Sequence, residues 1–233
     1  MSPDRDAVQD ALQASYQKIT AVTGALGDDE LMLPTRCAGW AIGDVLYHQL
    51  LDARRALVTL ATPADAGQRP DVDDITYWRP FSPRSGAASA LGSPGAARHA
   101  RHVRIVASAY PPGALASEWR ETAEAAGRAA RACPYPAVAT QGHVLATPDF
   151  LATLTVEAAI HYLDLTVALP AAPPPDPAAL ALVRRVLDGL LGIPMAGPWD
   201  DTTYPLKGTG REPVSAADRA QIGPLADLLP LLG

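Results

Sequence analysis

Three ionisable side chains stand close together in an otherwise apolar stretch, TVEAAIHYLDL, at residues 155–165. Glu157 and His161 are four residues apart, and Asp164 follows three residues later. A helix turns by about 100° per residue, so it would place all three along one face. Lys and Arg are absent from residues 150–169. Because a buried carboxylate is costly without a compensating cation or hydrogen bonds, we expect a metal ion or a distant arginine to meet this face.

The face that carries these three side chains is otherwise apolar, which indicates that it lies in a protein core. Its apolar members are Phe150, Leu151, Leu154, Ala158, Leu165 and Ala168. The stretch has the length of a membrane span. Three ionisable side chains inside it favour a buried helix of a soluble protein instead.

The composition excludes several classes of function. The 233 residues carry a net charge of −6, with a pI near 5.3, which is unlike a nucleic-acid-binding protein. Two cysteines do not make a disulfide framework and fit a reducing compartment. The N-terminus MSPDRDAVQD lacks the apolar segment of a signal peptide. We therefore expect a cytoplasmic monomer or homodimer without nucleic-acid or membrane partners.

Hydrophobic periodicity predicts a chain made mainly of helices. The predicted helices cover residues 5–26, 41–61, 95–109, 114–132, 148–169 and 178–192. Weak alternation at 138–147 predicts a small hairpin. Residues 62–95 are rich in Pro, Gly, Asp and Ser, and an irregular segment of this length is more often functional than idle.

The proline-rich stretch APPPDP, residues 172–177, divides the chain as an extended linker. We predict a four-helix bundle at 1–171 and a small C-terminal α/β appendage at 178–233, made of the last long helix, a short strand, a turn and short helices. Amphipathic helices with modest connections pack as a bundle, so the predicted fold class is all-α.

A second segment, GWAIGDVLYHQL at residues 39–50, opens the second helix and places His48 two turns inside it. The main apolar stripe of this helix passes through Leu46 and Leu50, and His48 lies on a flanking stripe beside it. Periodicity alone therefore predicts a surface or half-buried histidine.

Together, the two segments resemble the DinB-like superfamily, and within it the mycothiol-dependent maleylpyruvate isomerase family. The residues that carry the resemblance are Gly39, Trp40, Asp44 and His48 in the first segment and Glu157, His161 and Asp164 in the second. The resemblance implies an antiparallel four-helix bundle that binds a metal ion through His48, Glu157 and His161.

The same resemblance implies arginines outside these motifs. By position, Arg79 in the long loop is a candidate catalytic residue that meets an anionic substrate or the thiol, although it equally fits a clamp between this loop and an acidic residue. Arg211, in KGTGR, is a candidate cofactor-binding residue. Asp164 is a candidate catalytic residue that bonds a ligand in the cavity; a hydrogen bond between helices explains it equally well. We expect residues 62–95 to cap that cavity.

Two imidazoles and one carboxylate leave a coordination position open, as in catalytic zinc sites. The resemblance supplies mycothiol as the thiol cosubstrate, and Zn²⁺ or another divalent metal would deprotonate it. The thiolate would then attack a small electrophile, giving S-transfer or cis–trans isomerisation. Alternatives are a lyase or hydrolase that uses metal-bound water, and a non-catalytic binding module.

Other polar residues in these segments have simpler interpretations. Asp44 suits the first turn of a helix better than the orientation of His48. Trp40 is expected to anchor the end of the bundle, and Cys37 to be a small buried side chain. His99 and His102 have no carboxylate at ligand spacing, so a solvated helix face is favoured for them over a metal site.

Overall fold

The computed structural model describes residues 2–85, 94–195, 197 and 199–233. The long helices are α1 (Arg5–Thr23), α3 (Ile42–Leu60), α4 (Pro94–Ala107), α5 (Ala114–Ala132), α6 (Thr147–Leu165) and α7 (Pro177–Leu191). Short helices are α2 (Asp28–Leu31), α8 (Thr203–Gly208) and α9 (Ala216–Ile222). Helices α1, α3, α5 and α6 have 19 residues each. They pack α1 on α5 and α6, and α3 on α5 and α6, which confirms the four-helix bundle.

Side-chain caps explain where several of these helices begin. Asp4 accepts a hydrogen bond from the backbone N–H of Ala7 at 2.9 Å at the start of α1. Asp44 accepts one from the N–H of Ala41 at 2.9 Å at the start of α3. Each carboxylate satisfies a backbone donor that lacks a partner inside its helix. Asp44 is therefore a first-turn capping residue, as its position in the sequence favoured.

Helix α6 is almost entirely buried because both of its sides are covered. One side packs into the main core with residues such as Leu12 and Leu46. The other side, through Val156 and Ile160, packs into a second core built largely from the C-terminal segment. A helix that is buried all round needs no polar face. Among the helices of the described ranges, none has the length and apolar character that crossing a bilayer requires.

A small antiparallel hairpin precedes α6, as predicted. Strand β1 (Ala137–Thr140) pairs with β2 (His143–Ala146), with Val138 opposite Leu145. Gln141 and Gly142 form the turn with φ of 51° and 82°, the positive values that two-residue hairpins prefer. The described residues after 176 form helices and a 3-10 helix (Gly223–Leu228), so the short strand expected there is not among them. The predominantly helical fold class is confirmed.

The described part of the long irregular segment packs along the hairpin and α7. The N–H of Asp71 bonds the carbonyl of Val144 at 3.0 Å. A 3-10 helix (Thr76–Phe81) then places Trp78 in the second core. Buried Asp74 pairs with Arg185 of α7 at 2.7 Å. This segment is therefore an integral layer of the fold, while its predicted continuation at 86–93 lies outside the described residues.

Candidate metal centre

Three potential ligand atoms converge between α3 and α6. The Oε1 atom of Glu157 lies 3.0 Å from His48 Nε2 and 3.2 Å from His161 Nε2. The two imidazole rings stand edge to face with centroids 4.9 Å apart. The ligand atoms of all three residues lie within 4.8 Å of one another. The structure thus brings together the three residues predicted as metal ligands.

His48 reaches this cluster from the flanking stripe of α3. The main stripe, with Leu46 and Leu50, fills the bundle core, while the adjacent stripe turns His48 toward α6. Its side chain is 16% exposed, compared with 25% for Glu157 and 9% for His161. The cluster therefore lies below the surface, and His48 and Glu157 remain partly exposed to solvent.

The second ring nitrogen of His161 is held by a buried carboxylate. His161 Nδ1 lies 2.9 Å from Asp164 Oδ2, and Asp164 is fully buried. Arg211 donates two hydrogen bonds to Asp164, from Nε to Oδ1 at 2.7 Å and from Nη2 to Oδ2 at 2.9 Å. Because this ionised carboxylate only accepts, Nδ1 of His161 carries the hydrogen, and Nε2 of a neutral ring is free to bind a metal.

The loop before α3 closes the other side of this carboxylate. Cys37 donates its thiol hydrogen to Asp164 Oδ2 at 3.1 Å and is half-buried rather than buried. Arg36 donates from Nη1 to the carbonyl of Leu163 at 2.6 Å, and its Nη2 lies 3.6 Å from Glu212 Oε1. Asp164 thus joins the loop, α6 and the C-terminal segment in one hydrogen-bond network.

The second ring nitrogen of His48 meets another histidine. His99 Nε2, from α4, lies 3.3 Å from His48 Nδ1. The indole of Trp40 stands edge to face with the His48 ring at 5.4 Å and is tilted to the His99 ring at 6.4 Å. Trp40 is partly buried against the main core, and it also confines His48. His102 instead contacts Tyr47, 3.5 Å from its hydroxyl.

A further carboxylate borders the cluster. Asp52, one turn after His48 on α3, places Oδ2 3.6 Å from His48 Nε2. Burial raises the pKa of Asp52 to about 6. Tyr77 lies on the same side: burial, together with the charges of Glu157 and then Asp52, raises the pKa of its phenol to about 12. Sequence reasoning missed Asp52, although its i, i+4 spacing from His48 was a usable signal.

The charges of the cluster are strongly coupled through hydrogen bonds. Burial disfavours ionised Glu157, but hydrogen bonds and charge from His161 and then His48 hold its pKa well below the usual range. Burial likewise disfavours a charged His161, but hydrogen bonding, first to Asp164, raises its pKa well above the usual value. Without a metal ion, protonated His161 therefore supplies part of the positive charge that compensates Glu157.

Two predicted arginines occupy different environments. Arg211 pairs with Asp164 and is the distant arginine that this carboxylate was expected to require. The role of Arg211 in binding a cofactor stays a prediction. Arg79 is exposed on the 3-10 helix, and among the described residues no hydrogen bond or ion pair joins its guanidinium to the cluster. The charge of Glu157 instead acts on the phenol of Tyr77, two residues earlier, whose pKa it helps to raise.

A cavity of about 860 Å³ opens between α2, α4 and the start of α3. Its lining includes Arg101 and Arg104 on one wall and Asp28 and Asp29 on another. The predicted metal ligands do not line it, but Trp40 does. This indole therefore separates the cavity from the His48 ring.

The donor set and its spacing fit a divalent metal such as zinc. Two imidazole nitrogens and one carboxylate oxygen form a three-ligand set known from catalytic zinc sites. Bonds of about 2.1 Å in a tetrahedral arrangement put ligand atoms roughly 3.4 Å apart, a little more than the 3.0 and 3.2 Å seen here. Asp164 is the kind of carboxylate partner that orients a metal-binding histidine.

Comparison with known families identifies the domain that carries the cluster. Residues 12–166 match the family model of the mycothiol maleylpyruvate isomerase N-terminal domain. The chain belongs to this family. The mycothiol maleylpyruvate isomerase N-terminal domain thus spans the bundle from within α1 to the end of α6, including both segments that carry the cluster. No curated protein and no solved structure matches the chain.

Proposed function

We propose that this protein is a zinc-dependent enzyme that uses mycothiol as a cosubstrate in S-transfer to, or isomerisation of, a small electrophilic metabolite. The observation that carries this proposal is the convergence of His48 Nε2, Glu157 Oε1 and His161 Nε2 at one point beneath the surface. Membership of the mycothiol maleylpyruvate isomerase family supports the thiol and the class of reaction.

The chain supplies a rigid, partly open donor set. Asp164 keeps the hydrogen of His161 on Nδ1, and Arg211 holds that carboxylate in place. A neutral His48 that binds through Nε2 carries its hydrogen on Nδ1, where His99 Nε2 accepts it. When bound, a zinc ion supplies an acidifying site at which a thiol loses its proton at neutral pH. Three protein ligands leave room for that thiol.

The reaction then depends on the electrophile. If the thiolate displaces a leaving group from carbon, or adds to a double bond and the resulting carbanion takes up a proton, the C–S bond remains in the product and the outcome is S-transfer. If the thiolate adds to a conjugated double bond, the resulting single bond rotates, and expulsion of the thiolate restores the double bond as the other isomer.

X-ray absorption spectroscopy on the zinc-loaded protein tests this proposal. We expect one zinc per chain with nitrogen and oxygen ligands, and a new sulfur ligand at about 2.3 Å after mycothiol is added. His161→Ala should lose stoichiometric zinc while keeping its helix content. His143→Ala is the matched control, because His143 also pairs with a carboxylate, Asp71 at 2.9 Å, but lies in the hairpin. It should retain zinc.

Two results would contradict the proposal. Stoichiometric zinc in His161→Ala would remove this residue from the ligand set. A first shell without sulfur at saturating mycothiol would favour a lyase or hydrolase that activates water.

A further inference from the structure

Asp52 brings a carboxylate to the cluster in addition to the three proposed ligands. Its Oδ2 lies 3.6 Å from His48 Nε2, the nitrogen that also faces Glu157 Oε1 at 3.0 Å. This Oδ2 atom is buried and has no hydrogen-bond partner among the described residues. Buried acceptors are almost always paired, and each unpaired one is costly. Asp52 therefore has an unmet capacity to accept a hydrogen bond.

His48 cannot meet that need in the zinc-loaded protein. A separation of 3.6 Å is too long for a hydrogen bond, and a ring nitrogen that binds a metal has no hydrogen to donate. A bound molecule that carries a hydroxyl or an amide N–H would supply the missing donor.

The position of Asp52 fits contact with a bound molecule better than direct coordination. Asp52 stands outside the set of ligand atoms that lie within 4.8 Å of one another. A metal about 2.1 Å from His48 Nε2 would lie within about 6 Å of Asp52 Oδ2. That range suits an acceptor for a group attached to a thiol whose sulfur is at the metal.

We propose that Asp52 is a thiol-recognition residue, whose Oδ2 accepts a hydrogen bond from a hydroxyl or amide N–H of the thiol cosubstrate. This inference rests on the proposed function. It makes the preferred cosubstrate a thiol with a hydrogen-bond donor close to its sulfur. A simple alkyl thiol would bind through sulfur alone and gain nothing from Asp52.

Thiol titration of the cobalt-substituted protein tests this assignment, with the sulfur-to-cobalt charge-transfer absorption as the readout. Asp52→Asn should weaken mycothiol binding at least tenfold, or about 1.4 kcal/mol, and ethanethiol binding less than twofold. Zinc affinity, measured by chelator competition, should stay within threefold of wild type. Asp52→Ala should behave alike, and it supplies a second variant should asparagine alter folding.

Asp44→Asn is the matched control. It removes a carboxylate from the first turn of the same helix, where the asparagine oxygen can still accept the hydrogen bond from the N–H of Ala41, so both thiols should bind as they do in wild type. Equal mycothiol affinity in Asp52→Asn and wild type would overturn the inference, as would equal weakening of both thiols. Zinc loss in Asp52→Asn would make Asp52 a ligand instead. A wild-type protein that binds zinc but neither thiol would refute the proposed function itself.

Discussion

Removing the guanidinium of Arg211 should strongly destabilise the metal-free protein. Asp164 is fully buried, and Arg211 is 14% exposed, so their bidentate pair is largely shielded from water. Arg211→Met would leave a carboxylate in the core without its main cation. Breaking a buried pair in this way costs about 3–5 kcal/mol. Because His161 and Cys37 still hydrogen-bond Asp164, we expect a loss of about 3 kcal/mol, at the lower end of this range.

Urea unfolding of the metal-free variants measures this loss without the stabilisation that a bound ion adds. Arg128→Met is the matched control, since Arg128 pairs with Glu124 at 3.8 Å on the surface, with side chains 71% and 62% exposed. Exposed pairs of this kind contribute at most about 1 kcal/mol.

A double variant separates the charge from the packing. Adding Asp164→Asn to Arg211→Met removes the unpaired charge, so the double variant should be more stable than Arg211→Met alone. If Arg211→Met unfolds within 1 kcal/mol of wild type, Asp164 does not depend on Arg211. The assignment of that arginine as its compensating cation would then fail.

Two further predictions concern protons and packing. Because the pKa of His161 is raised in the metal-free protein, zinc must displace a proton from this residue when it binds. The affinity of the protein for zinc should therefore fall about tenfold for each pH unit below that pKa. Chelator competition at pH 6, 7 and 8 measures this, and a constant zinc affinity would contradict His161 as a ligand. At Gly189 of α7, an added Cβ would lie 2.6 Å from side-chain carbons of Ile75, so Gly189→Ala should lower the free energy of unfolding by about 1–3 kcal/mol. Gly127→Ala in α5, with open space around the added carbon, should instead raise it by up to about 1 kcal/mol, and a stable Gly189→Ala would show that Ile75 moves aside.

Local patterns were sufficient to predict the elements of the bundle. Helix α5 begins and ends where the sequence predicted, at Ala114 and Ala132. The strip of Glu157, His161 and Asp164 on α6 also follows from sequence alone, because the turn of one helix fixes which of its own residues share a face. The demand of that strip for an outside cation is likewise visible in the composition of residues 150–169.

The identity of the compensating groups required the tertiary structure. The sequence left a metal ion and a distant arginine as alternatives. The structure assigns Arg211, 47 residues away, to Asp164, and turns both imidazoles to Glu157. Arg211 lies in the loop between α8 and α9, and this loop contacts α6 because the C-terminal segment packs against that helix. Helical periodicity carries no information about such packing.

His48 shows the same limit most clearly. Periodicity placed His48 beside the main stripe of α3, and resemblance alone nominated it. The crossing of α3 over α6 decides that this flanking stripe, rather than open solvent, faces Glu157. A hydrophobic pattern records how much of a helix is buried, whereas the neighbour that covers each polar side chain is set by packing between elements distant in the chain.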